Sequence, residues 1–237
     1  MYSFTSNIRF SEVDSDKVLT LTSLINYFQD CTIFHSESLH AGFEYLEPQH
    51  KAWVLSSWQV VIHRLPKFGE TVVVGTWPYG FSALSGDRNF VLQNEKGENL
   101  VVANSFWVFT DTKSGRPSKL EPDSVKLYPL EPALSMDYSP RKIALPETFT
   151  EEPSFFVTKH HLDTNHHVNN AQYIRMAEDY LPSGFPVGEF RAEYKKSAKL
   201  QDEIFPLVSL NNDTCTIVLA DAAHKPYTTV QFIRKGN

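Results

Sequence analysis

His160-His161-Leu162-Asp163-Thr164-Asn165-His166-His167-Val168-Asn169-Asn170 is the densest polar cluster in the second half of the chain, and it runs straight into a helical pattern. Asn169 suits an N-cap, because its side-chain oxygen can take an orphan backbone N–H, and Gln172 stands three residues later where a capping box wants it. Tyr173, Ile174, Ala177, Tyr180 and Leu181 then recur at helical spacing, which predicts a helix from about 170 to 181. Shifted back by 149 positions, Asp163-Thr164-Asn165 falls on Asp14-Ser15-Asp16, and Tyr173 falls on Leu24. There too a turn leads into a helical stripe, Leu21, Leu24, Ile25, Phe28 and Cys31, with Thr20 or Thr22 available as its cap.

The elements around the two turns repeat in order. A strand is predicted over 2–10 before the first turn and over 154–161 before the second. Four strands follow each helix: 53–63, 71–77, 84–92 and 100–109 in the first half, and 189–198, 204–210, 214–220 and 227–234 in the second. Gly69-Glu70 lines up with Asp202-Glu203 at the next turn, and Arg64 falls near Ser197. The pattern is an internal duplication of a β-α-β-β-β-β unit. A helix with one apolar face needs a sheet to cover it, so the expected class is α+β, with each half a curved antiparallel sheet wrapped around its helix. Pro122, Pro129, Pro132, Pro140 and Pro146 interrupt the chain between the halves. The expected organisation is therefore a domain over 1–120, a Pro-rich linker over 121–152 and a second domain over 153–237.

Composition narrows the function classes. The chain has 237 residues, 41% hydrophobic and 21% charged, enough to close a core without disulfide or metal staples. Lys and Arg number 22 against 28 Asp and Glu, a net charge of −6, which argues against nucleic acid or an anionic membrane as the main partner. Cys31 and Cys215 are the only cysteines, and the N-terminal stretch lacks a long apolar run, so a cytoplasmic protein without signal peptide or membrane span is expected.

The stretch Leu162 to Asn170, followed by Ala171-Gln172-Tyr173-Ile174, resembles the active-site segment of acyl-acyl carrier protein thioesterases. Arg9-Phe10-Ser11-Glu12-Val13-Asp14, Tyr27-Phe28-Gln29-Asp30, Trp53-Val54-Leu55-Ser56-Ser57-Trp58 and Ala103-Asn104-Ser105-Phe106-Trp107 carry the same resemblance through the first half, closer to bacterial than to plant members. The resemblance implies two fused hot-dog domains and hydrolysis of the thioester joining a fatty acyl chain to carrier-protein phosphopantetheine. It places the family's Asp-x-Asn-x-His set on Asp163, Asn165 and His167. One departure is clear: where plant members have Glu-Cys after a Tyr and a basic pair, Tyr194-Lys195-Lys196 is followed here by Ser197 and Ala198. The resemblance therefore supplies neither a cysteine nucleophile nor that glutamate at these two positions.

The chemistry agrees with the placement. Thioester hydrolysis needs a proton taken from water, a negative charge accommodated on the carbonyl oxygen and a thiolate released. His167 is the best base because imidazole titrates near neutrality; Asn165 can hold water or the carbonyl through its amide; Asp163 can orient His167 or stabilise its charged form. Alternation sends all three to one side if the segment is extended, and backbone N–H groups at the start of the following helix can face the oxyanion. Asp163 also fits a simple Asx turn, and capping alone accounts for Asn169. Asn169, Asn170 and Ser197 are possible supporting residues. Four histidines, His160, His161, His166 and His167, invite a metal, but neighbours in an extended segment need not converge, and no metal or cofactor is expected. Arg191, Lys195, Lys196 and Lys199 are the best basic concentration for meeting phosphopantetheine phosphate or an acidic carrier protein, as monomer or homodimer. The first half, with Asp14-Ser15-Asp16-Lys17-Val18 at the matching turn, lacks the histidine and is expected to supply the acyl pocket. An acyl-CoA thioesterase and a non-catalytic acyl-binding protein are the competing accounts.

Overall fold

The computed structural model describes residues 1–236, the side chains of Pro122 and Asp123 aside. It divides into two compact units, residues 1–56 with 62–138, and residues 57–61 with 139–237.

In the first unit the helical stripe becomes α1, Leu21–Ser38, whose N-terminus is closed by Thr20 accepting the Ser23 N–H at 3.1 Å. Leu21, Leu24, Ile25, Tyr27, Phe28, Cys31 and His35 form its buried face. That face packs on a sheet made of β1 (Tyr2–Asn7), β3 (Thr71–Phe81), β4 (Ser85–Asn94) and β5 (Asn99–Asp111), paired antiparallel in that order. Between α1 and β3 lie the short α2 (Phe43–Leu46) and β2 (Lys51–Ile62); β6 (Arg116–Pro117) adds to β5, and α3 (Pro122–Lys126) follows. Register shifts at Pro78/Gly80 and Leu92/Gln93 bend the ladder, as bulges do, which lets the sheet curl over the helix. One polar knot sits in this core: Arg88 donates to His35 Nδ1 at 2.9 Å and to Thr76 Oγ1 at 3.3 Å, with its guanidinium 5.8 Å from the Tyr128 ring centroid. Burial lowers Arg88 to about 10, and burial together with the Arg88 charge holds His35 down at about 4.

The second unit repeats the plan with less helix. α4, Asn170–Glu178, has nine residues against eighteen in α1 and ends short of the expected Leu181. It buries Ala171, Tyr173, Ile174, Met176 and Ala177 against a sheet ordered β9 (Val187–Tyr194), β12 (Pro226–Arg234), β11 (Thr214–Ala220) and β10 (Glu203–Leu210). Residues 57–61 pair with β9, and the two-residue strands β7 (Thr150–Glu151) and β8 (Phe155–Phe156) pair with β10.

Two expected strands shorten for one reason. The strand expected over 154–161 is only β8, because the chain coils into a 3-10 turn at Lys159–His161; likewise 2–10 stops at Asn7 before a 3-10 turn at Phe10–Glu12. Both turns are closed by a side chain reaching back three residues: Glu12 accepts the Arg9 N–H at 2.8 Å, and His161 Nδ1 accepts the Thr158 N–H at 3.0 Å.

Hydrogen bonds carry the duplication further than the pattern of residues does. Gly69 N–H donates to the Ile8 carbonyl and Gln201 N–H to that of Val157; Lys67 N–H meets the Glu70 carboxylate and Lys199 N–H that of Asp202. The second alignment is thus one residue off: Gly69-Glu70 corresponds to Gln201-Asp202, not Asp202-Glu203. Gly69 and Gln201 share positive φ, 83° and 67°, and only the glycine announces it. The same register sets Arg64 opposite Lys196 rather than Ser197, since Arg64 N–H donates to Leu100 as Lys196 N–H does to Tyr227.

Candidate active site

The polar cluster is a hairpin loop. Asp163 N–H donates to the His167 carbonyl at 2.8 Å, His166 N–H returns to the Asp163 carbonyl at 3.1 Å, and Leu162 bridges Val168 behind them. The three-residue tip places His166 in the left-handed region at φ 59°, a position that usually goes to glycine and costs another residue about 1 kcal/mol. Asp163 offsets that cost. Its Oδ1 accepts the Asn165 N–H at 2.8 Å and the His167 N–H at 3.2 Å, so the carboxylate clamps the turn from inside.

Extended alternation therefore fails as the reason for the grouping, and cross-strand pairing replaces it. Residues opposite one another in an antiparallel ladder share a face, which puts Asp163 and His167 together, away from buried Val168, with exposed Asn165 at the tip. Asp163 holds His167 through the backbone. The imidazole itself is half-buried. The far limb of the loop is fixed by the segment after β9: Val168 N–H donates to the Ala198 carbonyl at 2.9 Å, and His167 bridges Lys199.

Helix α4 starts beside this loop. Asn169 caps it, its Oδ1 taking the Ala171 N–H at 2.8 Å and its carbonyl the Gln172 N–H at 2.9 Å. Those two backbone amides are spent on the cap, so the oxyanion donor expected from the helix start does not come from them; the side chain of exposed Asn165 stands at the tip. Asn170 supplies its carbonyl to Tyr194, whose hydroxyl donates at 3.1 Å, and the Tyr173 hydroxyl accepts the Ala198 N–H at 2.7 Å. Burial pushes both phenols well above their ordinary value, so neither is a base at neutral pH. Ser197 is exposed on the segment beside the loop. Burial also pushes Cys31 up to about 12 and raises Cys215, which leaves both as thiols.

Of the four basic candidates, Lys199 borders that clamp through its bridge to His167, and the other three have partners of their own. Arg191, in β9, donates to the carbonyls of Pro140 and Lys142; Lys195 pairs with Glu193; Lys196 pairs with Asp221 and sits 4.3 Å over the Tyr227 ring; Lys199 is exposed next to the His167 bridge. Exposed pairs of this kind are weak and exchange readily. Among the described residues, no three His, Cys, Asp or Glu side chains converge as a metal site, and no helix is long and apolar enough to cross a membrane.

Comparison with known proteins agrees in sequence and in shape. Residues 1–128 match the acyl-ACP thioesterase N-terminal domain and residues 146–214 the C-terminal domain of the same family. A chloroplastic palmitoyl-acyl carrier protein thioesterase of Gossypium hirsutum is 31% identical over 189 residues, 73% of this chain and 45% of the relative. A chloroplastic dodecanoyl-[acyl-carrier-protein] hydrolase of Cinnamomum camphora is 26% identical over 87% of this chain and 59% of its own length. The chain thus spans about half the length of the curated relatives it matches. The crystal structure of an acyl-ACP thioesterase from Bacteroides thetaiotaomicron superposes with a TM-score of 0.89 at 20% identity, covering 98% of this chain and 97% of the other. A 12:0-ACP thioesterase from Umbellularia californica gives 0.85 at 20% identity, with 100% and 97% covered. With two hot-dog units in tandem and both family domains matched in order, the chain belongs to the acyl-ACP thioesterase family.

Proposed function

We propose that the protein hydrolyses the thioester of fatty acyl-acyl carrier protein in the cytoplasm, releasing free fatty acid without a cofactor. The observation that carries this reading is the clamp at Asp163, whose Oδ1 accepts the His167 N–H and so holds the backbone of that residue beside the carboxylate. In the proposed reaction His167 takes a proton from water, the resulting hydroxide attacks the acyl carbon, and the Asn165 amide steadies the oxyanion. Collapse expels the pantetheine thiolate, which recovers a proton from the imidazolium. Asp163 stabilises that imidazolium by charge. Asn169 and Asn170 support the loop by forming the helix start, and Ser197 borders it without supplying a base.

The N-terminal hot-dog half, 1–120, holds the acyl chain in this reading, the half over 153–237 carries the reactive set, and 121–152 links them. Arg191, Lys195, Lys196 and Lys199 meet the acidic carrier protein by exchanging their internal pairs for its carboxylates. The test is hydrolysis of one acyl group presented on carrier protein and on CoA. A higher kcat/KM for the carrier conjugate, with the difference shrinking as salt rises, is expected. Equal values and equal salt dependence would remove the carrier assignment, and no hydrolysis of either would leave only acyl binding.

A further inference from the structure

A hollow of about 420 Å³ opens in the second unit between the 3-10 turn at Lys159–His161 and the outer face of α4. Thr158, His160 and His161 line it from the turn, and Gln172, Arg175, Met176 and Asp179 line it from the helix. At the corresponding place in the first unit three side chains are paired with one another. There the Tyr27 hydroxyl donates to the Glu12 carboxylate at 2.8 Å, and the Arg9 guanidinium pairs with the same carboxylate at 2.9 Å.

Moving 149 positions along the chain exchanges every part of that group. Glu12 becomes His161, Tyr27 becomes Met176, Arg9 becomes Thr158 and Asn26 becomes Arg175. The backbone duty survives, since His161 Nδ1 accepts the Thr158 N–H where Glu12 accepts that of Arg9. Because Nδ1 is the acceptor, the proton of the neutral ring sits on Nε2, and His161 is left with an N–H to give. Burial and the nearby charges of Arg175 and His160 keep the ring below its ordinary pKa, which favours its neutral form. The first unit carries its own anion here. The second has lost the carboxylate and the phenol, gained an exposed guanidinium that forms no ion pair among the described residues, and kept one rim carboxylate, Asp179.

We infer that this hollow is a phosphate subsite, with Arg175 as its main cation and His161, His160 and Thr158 as further donors, taking the phosphodiester of the pantetheine arm. It rests on the hydrolase reading for the identity of the substrate, and it is distinct from the lysines after β9. A guanidinium suits a phosphate because its planar fork can meet two oxygens at once. Place supports the assignment as well: the His161 carbonyl accepts the Asn169 N–H at 2.9 Å, so the wall of the hollow and the cap beside the His167 loop are one hydrogen-bonded piece.

The test uses one acyl group on pantetheine, on 4′-phosphopantetheine and on whole carrier protein, with inorganic phosphate as a separate probe followed by ³¹P line broadening. The wild-type protein should favour phosphopantetheine over pantetheine by about tenfold in kcat/KM, mostly through KM. Arg175→Gln should bring that ratio to about one and abolish the phosphate broadening. Asp179→Asn should raise the ratio above wild type, an improvement that a damaged fold does not produce. A ratio untouched by both substitutions overturns the subsite. Broadening that depends on Arg175 without any substrate preference marks a site for free phosphate and overturns the assignment to the arm. If no thioester is hydrolysed at all, the hydrolase reading fails, while the phosphate titration still decides whether the hollow binds an anion.

Discussion

The loops at residues 14–18 and 163–167 have one backbone and different side chains. In each an aspartate accepts two N–H groups of its own turn, Asp16 and Val18 in the first, Asn165 and His167 in the second, and in each a non-glycine residue, Lys17 or His166, takes the left-handed position. What differs is the side chains presented on that frame, above all Asp16 against Asn165 at the tip and Val18 against His167 just past the left-handed residue. The duplicated part is a clamp, and in the proposed reaction the reactive side chains are substitutions placed on it. The sharpest way to break this comparison is to make the loops alike. His167→Ala should leave the clamp and the melting temperature intact, because the bonds of the turn run through backbone and Asp163, while kcat falls by about 10²–10⁴-fold, or about 3–5 kcal/mol of barrier. Unchanged kcat/KM in a folded variant would move the base elsewhere.

The helices differ in length, and that has an energetic signature. Position 35 lies on the last turn of α1, whereas the residue 149 places later, Gly184, lies beyond the end of α4, so only the first unit buries a histidine against an arginine. His35 titrates at about 4 in the folded protein against 6.5 ordinarily, its ring kept neutral by burial and by the Arg88 donor on Nδ1. The unfolded chain therefore binds a proton first as pH falls. This stability is complete above about pH 6.5, is lost progressively down to about 4, and amounts to about 3 kcal/mol across the window. His35→Asn keeps an acceptor for Arg88 and should flatten the fall in urea-derived stability between pH 7 and 4. Wild-type and variant curves that stay parallel over that range would refute the assignment. Arg88, the main charge facing the ring, remains protonated throughout the interval.

The two aspartates separate the clamp from the chemistry. Asp14→Ala and Asp163→Ala each strip an acceptor from two backbone N–H groups and should each cost about 1–2 kcal/mol of stability. Only the second should lower kcat, because only there does the turn carry an imidazole. Asp163→Asn, which can still accept both amides, should recover most of the lost stability and leave a smaller defect in kcat from the missing charge. Equal loss of activity in the Asp14 and Asp163 variants would mean that the first loop also serves the reaction.

Local rules made much of this legible from sequence, and their failures share a cause. The offset of 149, the capped helix starts and most strands follow from periodicity and polar punctuation, which depend on neighbours in the chain. The misread places are those where an ordinary residue takes an unusual backbone. His166 and Gln201 carry positive φ without being glycine, so the loop looked extended and the second turn was aligned one residue late. The strand before the loop shrank because Thr158 and His161 close a turn with a histidine in the part usually given to an acid. The hollow beside α4 was invisible for a different reason. It is defined by what Met176 fails to fill, and that shows only when Tyr27 and its bond to Glu12 are set beside it.

The smallest expected effects concern the cysteines, and they test whether the chemistry needs a protein nucleophile. Cys31 is fully buried on α1 with Sγ 3.6 Å from the Val74 carbonyl, and Cys215, on β11, has Sγ 3.9 Å from the Tyr180 carbonyl. A nucleophilic cysteine needs a lowered pKa, supplied by a cation, a helix N-terminus or a paired histidine. Here burial acts the other way in both, and for Cys31 it outweighs the pull of the Arg88 charge. The residue in the position where a cysteine would be expected beside the loop is Ala198, whose methyl has nothing to offer. Cys31→Ser and Cys215→Ser should therefore keep kcat/KM within about twofold, with losses of about 1 kcal/mol or less in stability as a hydroxyl replaces each sulfur. Iodoacetamide should label neither buried thiol in the folded protein at pH 8 and both once urea unfolds it, since burial raises both and Cys31, held near 12, is thiolate in only about one molecule in ten thousand at that pH. A serine variant that binds substrate, melts normally and turns nothing over would replace the water mechanism with an acyl-enzyme, and would turn the comparison of the two loops from a question about His167 into one about the sulfur it serves.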